Sequence, residues 1–191
     1  MKKYLYGATA LLLLAGTASC GSSKKAAGTP APVGMTEEVV PLSGPQYRSD
    51  AEYFRAVQNG VSTDRSTAQK IAMQNCRQEL AANIQAELQV VIENYVKEQN
   101  TGVAAENKSQ YQEMAYTTVK QRLNDVQIVE EKIYRQEDGS YRFYVCLQMP
   151  KSAIETAVEA AIAKDAKLNL EFDREQFKKV FEERMAAFSK Q

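Results

Sequence analysis

Ala68-Gln69-Lys70-Ile71-Ala72-Met73-Gln74-Asn75-Cys76-Arg77-Gln78-Glu79-Leu80 sets a small or apolar residue at every fourth position, and Ile84, Leu88, Val91, Ile92 and Tyr95 continue the line. Residues four apart stack on one face of an α-helix, so the spacing predicts one long helix with a single buried face. Ser62, Thr63 and Asp64 stand just before it, each able to accept hydrogen bonds from the free amides of a first turn. The stripe begins with the small side chains of Ala68, Ala72 and Cys76, which lets the helix backbone approach a sheet closely before Leu80 and Ile84 fill a wider gap. Asn100-Thr101-Gly102 is expected to end it.

The segments around this helix supply the sheet. Tyr53-Phe54-Arg55-Ala56-Val57 reads as a short strand ending at Asn59-Gly60. After a second helical pattern from about Asn107 to Leu123, with Tyr111, Met114, Ala115 and Val119 on one side, two strands follow. They run from Val126 to Tyr134 and from Ser140 to Leu147, joined around Asp138-Gly139, a dipeptide suited to the positive φ of a hairpin turn. Pro150 stops the last strand, and Lys151 to Lys164 reads as a helix buried along Ile154, Val158 and Ile162. A final helix capped by Asp173 carries Phe177, Val180, Phe181, Met185 and Phe188 on one side. The fold class is α+β: a small antiparallel sheet of about three strands packed against a long helix, with further helices after the sheet. The Phe177, Phe181, Met185 and Phe188 stripe either completes the core or presents a partner-binding or self-association face.

The run from Ala56 to Ala81, with Asp64 opening the helix, Ala68 and Ala72 four apart, and Arg77 and Leu80 after them, resembles the lipoprotein-20 family of bacterial envelope proteins. Tyr141 to Met149 followed by Pro150-Lys151 is similar to that family's terminal strand and next helix. The likeness covers roughly residues 50 to 165, with Cys76 where Ala is usual and Gln58 where Gly is common. It implies a fold similar to the N-terminal domain of the flagellar assembly protein T and a lipoprotein without established catalysis. It supplies no catalytic residue.

The amino-terminal end reads as an export signal. Lys2 and Lys3 precede the apolar run Ala10-Leu11-Leu12-Leu13-Leu14-Ala15, then Gly16-Thr17-Ala18-Ser19 and Cys20. The apolar stretch is short of the ~20 residues of a spanning helix. Small residues before a Cys resemble the lipobox of bacterial lipoproteins, which implies acylation of the Cys20 thiol, palmitate included, and cleavage just before it. Gly21 to about Gly44 is rich in Gly, Ser, Ala and Pro and reads as a tether. The expected organisation is a signal peptide over 1–19, a lipidated Cys and tether over 20–46, and one domain over 47–191. Gly21, where an Asp would retain a lipoprotein in the inner membrane, implies the outer membrane, facing the periplasm, with the cell surface as the other face.

Composition narrows the chemistry. The 191 residues contain no His and no Trp, with 24 basic and 24 acidic residues. Without His there is no Ser-His or Cys-His nucleophile and the commonest metal ligand is missing. Zero net charge gives no field favouring nucleic acid. Cys20, Cys76 and Cys146 lie far apart with no metal-ligand spacing, so no metal or other cofactor is expected. In an oxidising compartment Cys76 and Cys146 form either a disulfide or two buried free thiols. By strand alternation Cys146 shares a face with Arg142, Tyr144 and Gln148, opposite Phe143, Val145 and Leu147, which leaves its view of the helix open. Glu130-Glu131 and Glu182-Glu183 read as solvated surface charge in preference to acid-base pairs. Tyr134, Tyr141 and Tyr144 read as cross-strand packing on the hairpin.

Function is thus expected to be non-catalytic: a lipid-anchored envelope module for structure or protein interaction, bound to a membrane by its lipid and to an envelope protein or to itself. The competing expectation is a ligand-binding or adhesin-like lipoprotein with a groove between sheet and helices.

Overall fold

Asp64 opens the element that organises the fold: its carboxylate accepts the backbone N–H of Thr67 at 2.7 Å and the Thr67 hydroxyl at 2.8 Å. Such a cap is worth about 1 kcal/mol. From there α1 (Arg65–Gln99) runs 35 residues, about 50 Å of helix. A computed structural model describes residues 38–99 and 102–188. Cys20, the export signal and most of the tether lie outside the described residues, as do Asn100 and Thr101 at the expected end of the long helix.

Before α1 comes β1 (Tyr53–Ser62), and after it come α2 (Gly102–Arg122), β2 (Gln127–Arg135), β3 (Tyr141–Pro150), α3 (Lys151–Ile162), α4 (Ala166–Glu171) and α5 (Arg174–Phe188). The three strands form one antiparallel sheet in the order β1-β3-β2. The α+β class, the three-stranded sheet under a long helix and the helices after the sheet all stand as expected.

The whole predicted stripe of α1, from Ala68 through Tyr95, is buried. β1 presents Phe54, Ala56 and Gly60 to it, and β3 presents Phe143, Val145, Leu147 and Met149. β1 does not end at Asn59-Gly60 but continues to Ser62. Gly60 is a point of contact instead of a turn: a Cβ there would stand 2.5 Å from Ala68 O and 2.5 Å from Ala72 N. The small residues of α1 and the glycine of β1 are two sides of one close crossing. At the hairpin, Gly139 takes φ +83 with open space around its Cβ position, so there it is the backbone angle that calls for glycine.

The far half of α1 meets α2 and α5. Tyr95 lies at the centre of a ring cluster, with centroids 5.9 Å from Tyr111, 5.6 Å from Phe172 and 5.7 Å from Phe177. Its hydroxyl accepts the Asp173 N–H at 2.9 Å while Asp173 caps α5 through the Gln176 N–H, and burial pushes the phenol up to about 12. α5 then runs back along α1, where Arg184 grips the buried Glu87 with Nε–Oε2 at 2.6 Å and Nη2–Oε1 at 3.0 Å. Removing one partner strands the other charge in a water-poor seam. Glu87→Ala is expected to lower stability by about 2 kcal/mol, and a double-mutant cycle with Arg184→Ala should recover at least ~1 kcal/mol of coupling in urea unfolding.

Three boundaries differ from expectation. α2 starts at Gly102, not near Asn107. α4 has only six residues, too few to show a period, and rests on the Asp165 carboxylate accepting the N–H groups of Lys167 and Leu168. The domain also begins earlier than residue 47: the compact unit starts at Val39, and Leu42 is 4% exposed with φ +59. A Pro- and Ser-rich stretch carries no periodicity, so its packing against the sheet had no sequence signal.

Candidate interaction surface

A three-stranded open sheet has two edges, and an unpaired edge is a template for another strand unless it is blocked. The β1 edge is blocked. Arg55 N donates to the Ser49 hydroxyl at 2.9 Å, and that hydroxyl donates back to Arg55 O at 3.2 Å. Asp50 N donates to Tyr53 O at 3.0 Å, and the Asn75 side chain donates to Asn59 O at 3.0 Å. Residues 42–50 thus act as a strap along β1.

The β2 edge differs. Its inner side pairs with β3 from Gln127↔Gln148 to Arg135↔Tyr141, with a bulge between Ile128 and Glu130. Among the described residues no hydrogen bond reaches the backbone on its outer side. Four of the chain's exposed large apolar side chains lie on this strand: Ile128 at 51%, Val129 at 38%, Ile133 at 37% and Tyr134 at 46%. Past the bulge, Glu131, Ile133 and Arg135 point to the helix side with Val145, Phe143 and Tyr141, and Glu130, Lys132 and Tyr134 share the open face with Cys146, Tyr144 and Arg142.

On that open face Tyr134 and Tyr144 meet edge to face at 5.9 Å, the expected cross-strand packing, and Lys132 pairs with Glu130 at 3.2 Å. The Tyr47 hydroxyl donates to the Glu130 carboxylate, which with Lys132 holds that carboxyl below its usual range. The strap therefore lies over the face at the level of Cys146, whose Sγ is 3.9 Å from Tyr47 O.

The two domain cysteines are free and buried. Cys76 Sγ lies under α1, 3.1 Å from Ala56 O and 3.6 Å from Val145 O, whereas Cys146 faces the strap on the other side of the sheet. The disulfide alternative is corrected accordingly: the sheet stands between the two sulfurs, and joining them would require β3 to leave it. Burial pushes both thiols up to about 11. In a Cys20→Ala chain at pH 8, a thiol reagent is expected to label neither until denaturant is added, when both react; rapid labelling of either in the native chain would contradict this packing.

Of the two readings open for the α5 stripe, core completion or a partner-binding face, the burial of its residues agrees with the first. Phe177, Phe181 and Met185 are at most 4% exposed, and Phe188 packs half-buried with its ring 6.1 Å from Phe54. They complete the core against α1, so the stripe offers no face to a partner. Phe188 and Phe54 also enclose Lys151, which sequence reasoning took only as the first residue of a helix. Its Nζ donates to Met185 O at 3.3 Å, near the negative end of α5, and stands 5.3 Å from the Phe54 centroid and 5.0 Å from the Phe188 centroid. Burial holds its pKa below the usual lysine value. Beside it is a cavity of about 420 Å³ lined by Tyr53, Pro150, Glu155, Phe181 and Met185 among others, where partial burial and the neighbouring Glu159 raise the Glu155 carboxyl.

No family model, curated protein or solved structure matches this chain. The site must therefore be judged by its own geometry. Among the described residues no helix is long and apolar enough to cross a membrane, and no three His, Cys, Asp or Glu side chains are grouped to hold a metal ion. Sequence reasoning missed the β2 edge by taking Glu130-Glu131 as solvated charge alone. The usable signal was Ile128, Val129 and Ile133 around those charges, on a strand too far from α1 to be covered.

Proposed function

We propose that this chain is a lipid-anchored envelope lipoprotein of the lipoprotein-20 type, held in the outer membrane through Cys20, whose domain is a non-catalytic protein-interaction module. The anchor reading rests on the order Lys2-Lys3, Ala10 to Ala15, then Ala18-Ser19-Cys20, followed by the Pro- and Gly-rich tether. Acyl chains contribute about 0.8 kcal/mol per buried methylene, and two or more hold a protein to a bilayer stably. The interaction reading is carried by one observation: β2 is an unpaired edge strand bearing exposed Ile128, Val129, Ile133 and Tyr134, while the opposite edge is strapped shut.

Pull-down from cross-linked envelopes tests it. A specific protein, or a second copy of the chain, should co-purify with the native form and be lost when a proline at Ile133 spoils the β2 edge. Capture that ignores the Ile133→Pro change would remove the edge from the account.

The cavity at Glu155 favours a second reading, a small amphipathic ligand seated between α3 and α5. Lys151 does not serve such a ligand as a free cation, because Met185 O and two rings already engage it. Thermal shift with amphipathic amines and acids separates the readings: stabilisation that a bulky residue at Ala186 abolishes would favour the ligand.

A further inference from the structure

We infer that β2 pairs antiparallel with β2 of a second copy about a two-fold axis through Ile133, joining two sheets into one of six strands. The inference stands on the strand itself and not on the lipid anchor. A two-fold axis normal to the sheet sets each residue opposite one on the same face, so only registers centred on a residue are allowed. Centring on Glu131 sets that carboxylate against itself, and centring on Lys132 does the same to an ammonium. Centring on Tyr134 pairs only residues 133–135 of each strand and leaves Glu131 opposite Glu137 in the turn, beyond the end of β2. Centring on Ile133 sets Ile133 against Ile133, Lys132 against Tyr134 and Glu131 against Arg135, each twice over the axis except the first. Of the registers centred between the bulge and Arg135, it alone pairs five residues of each strand with no like-charge opposition.

The charges are also available. Among the described residues neither Glu131 nor Arg135 makes an ion pair, although both stand on the helix side of β2 and Arg135 leans over the Tyr141 ring at 5.9 Å. On the open face Tyr134 is 46% exposed, so Lys132 of the other copy would meet an accessible ring. Cross-strand pairs of these kinds contribute roughly 0.2–1 kcal/mol each on top of the backbone ladder.

Cysteine cross-linking of the full chain tests the register. With a short bismaleimide, Ile133→Cys should yield a covalently linked dimer, since directly opposed Cβ atoms in such a pair stand ~4.5–5.5 Å apart, within reach of a thiol-to-thiol cross-linker. Val61→Cys on the strapped β1 edge should give no more than the unsubstituted chain, whose signal reports any free Cys20 thiol. Adding Glu131→Arg to Ile133→Cys should cut the dimer yield about tenfold, because the introduced guanidinium then opposes Arg135 at both ends of the pairing. Adding Arg135→Glu as well brings opposite charges back together and should restore the yield. A dimer from Ile133→Cys no stronger than from Val61→Cys overturns the pairing, and so does a yield indifferent to the charge swap. Both outcomes leave the anchor reading untouched, because neither depends on where the chain fractionates.

Discussion

Gly60→Val is expected to abolish or nearly abolish folding, at a cost of at least about 3 kcal/mol. The Cβ alone would stand 2.5 Å from Ala68 O and from Ala72 N and 2.8 Å from Ile71 Cβ, and the two closest of these atoms belong to the backbone of α1. A flexible side chain could swing aside, but a 35-residue helix seated on the sheet by Ala72, Cys76 and Leu80 cannot retreat without opening that whole interface. Gly139→Ala provides the contrast. There the strain is φ +83 with nothing near the Cβ position, so the loss should be about 1 kcal/mol. Thermal unfolding of the two variants side by side should separate them by far more than their shared loss of a glycine; equal losses would mean that the helix does not approach the strand as described.

Phe177→Ala is expected to cost about 4 kcal/mol, the range for emptying a large aromatic site in a packed core. Phe177 is 1% exposed and its ring lies between Tyr95, Phe172 and Phe181, at 5.7, 5.3 and 6.3 Å. For a domain of this size that corresponds to a fall in Tm of roughly 10 °C. Were the stripe a partner-binding face, the same change would leave Tm within a degree or two and weaken only association. Chemical denaturation of the purified chain distinguishes the two directly.

These two sites mark where sequence reading worked and where it stopped. The α1 stripe was legible because a helix covered on one face repeats its apolar residues every three to four positions, and the Asp138-Gly139 turn was legible because few dipeptides accept its backbone. Gly60 was misread because an Asn-Gly pair signals a turn in isolation, and only the facing Ala68 and Ala72 turn it into a contact. The α5 stripe was periodic, but periodicity states that a face is apolar without stating what covers it; α1 and Phe54 supplied that. Lys151 and Glu87 are buried charges whose partners, Met185 O and Arg184, lie 34 and 97 residues away, and no local pattern announces a match at that separation. The β2 edge was missed for a related reason: Ile128, Val129 and Ile133 signal an apolar strand, but an edge is defined by which strand has no neighbour.

The anchored-module account depends most on Cys20. Growing the native cells with an alkynyl palmitate analogue and determining the mass of the mature chain measures it in one experiment. The account predicts a chain that begins at Cys20, carries the label and partitions into the detergent phase, with Cys20→Ala unlabelled and aqueous. A mature wild-type chain that is unlabelled, or that begins anywhere other than Cys20, would contradict it.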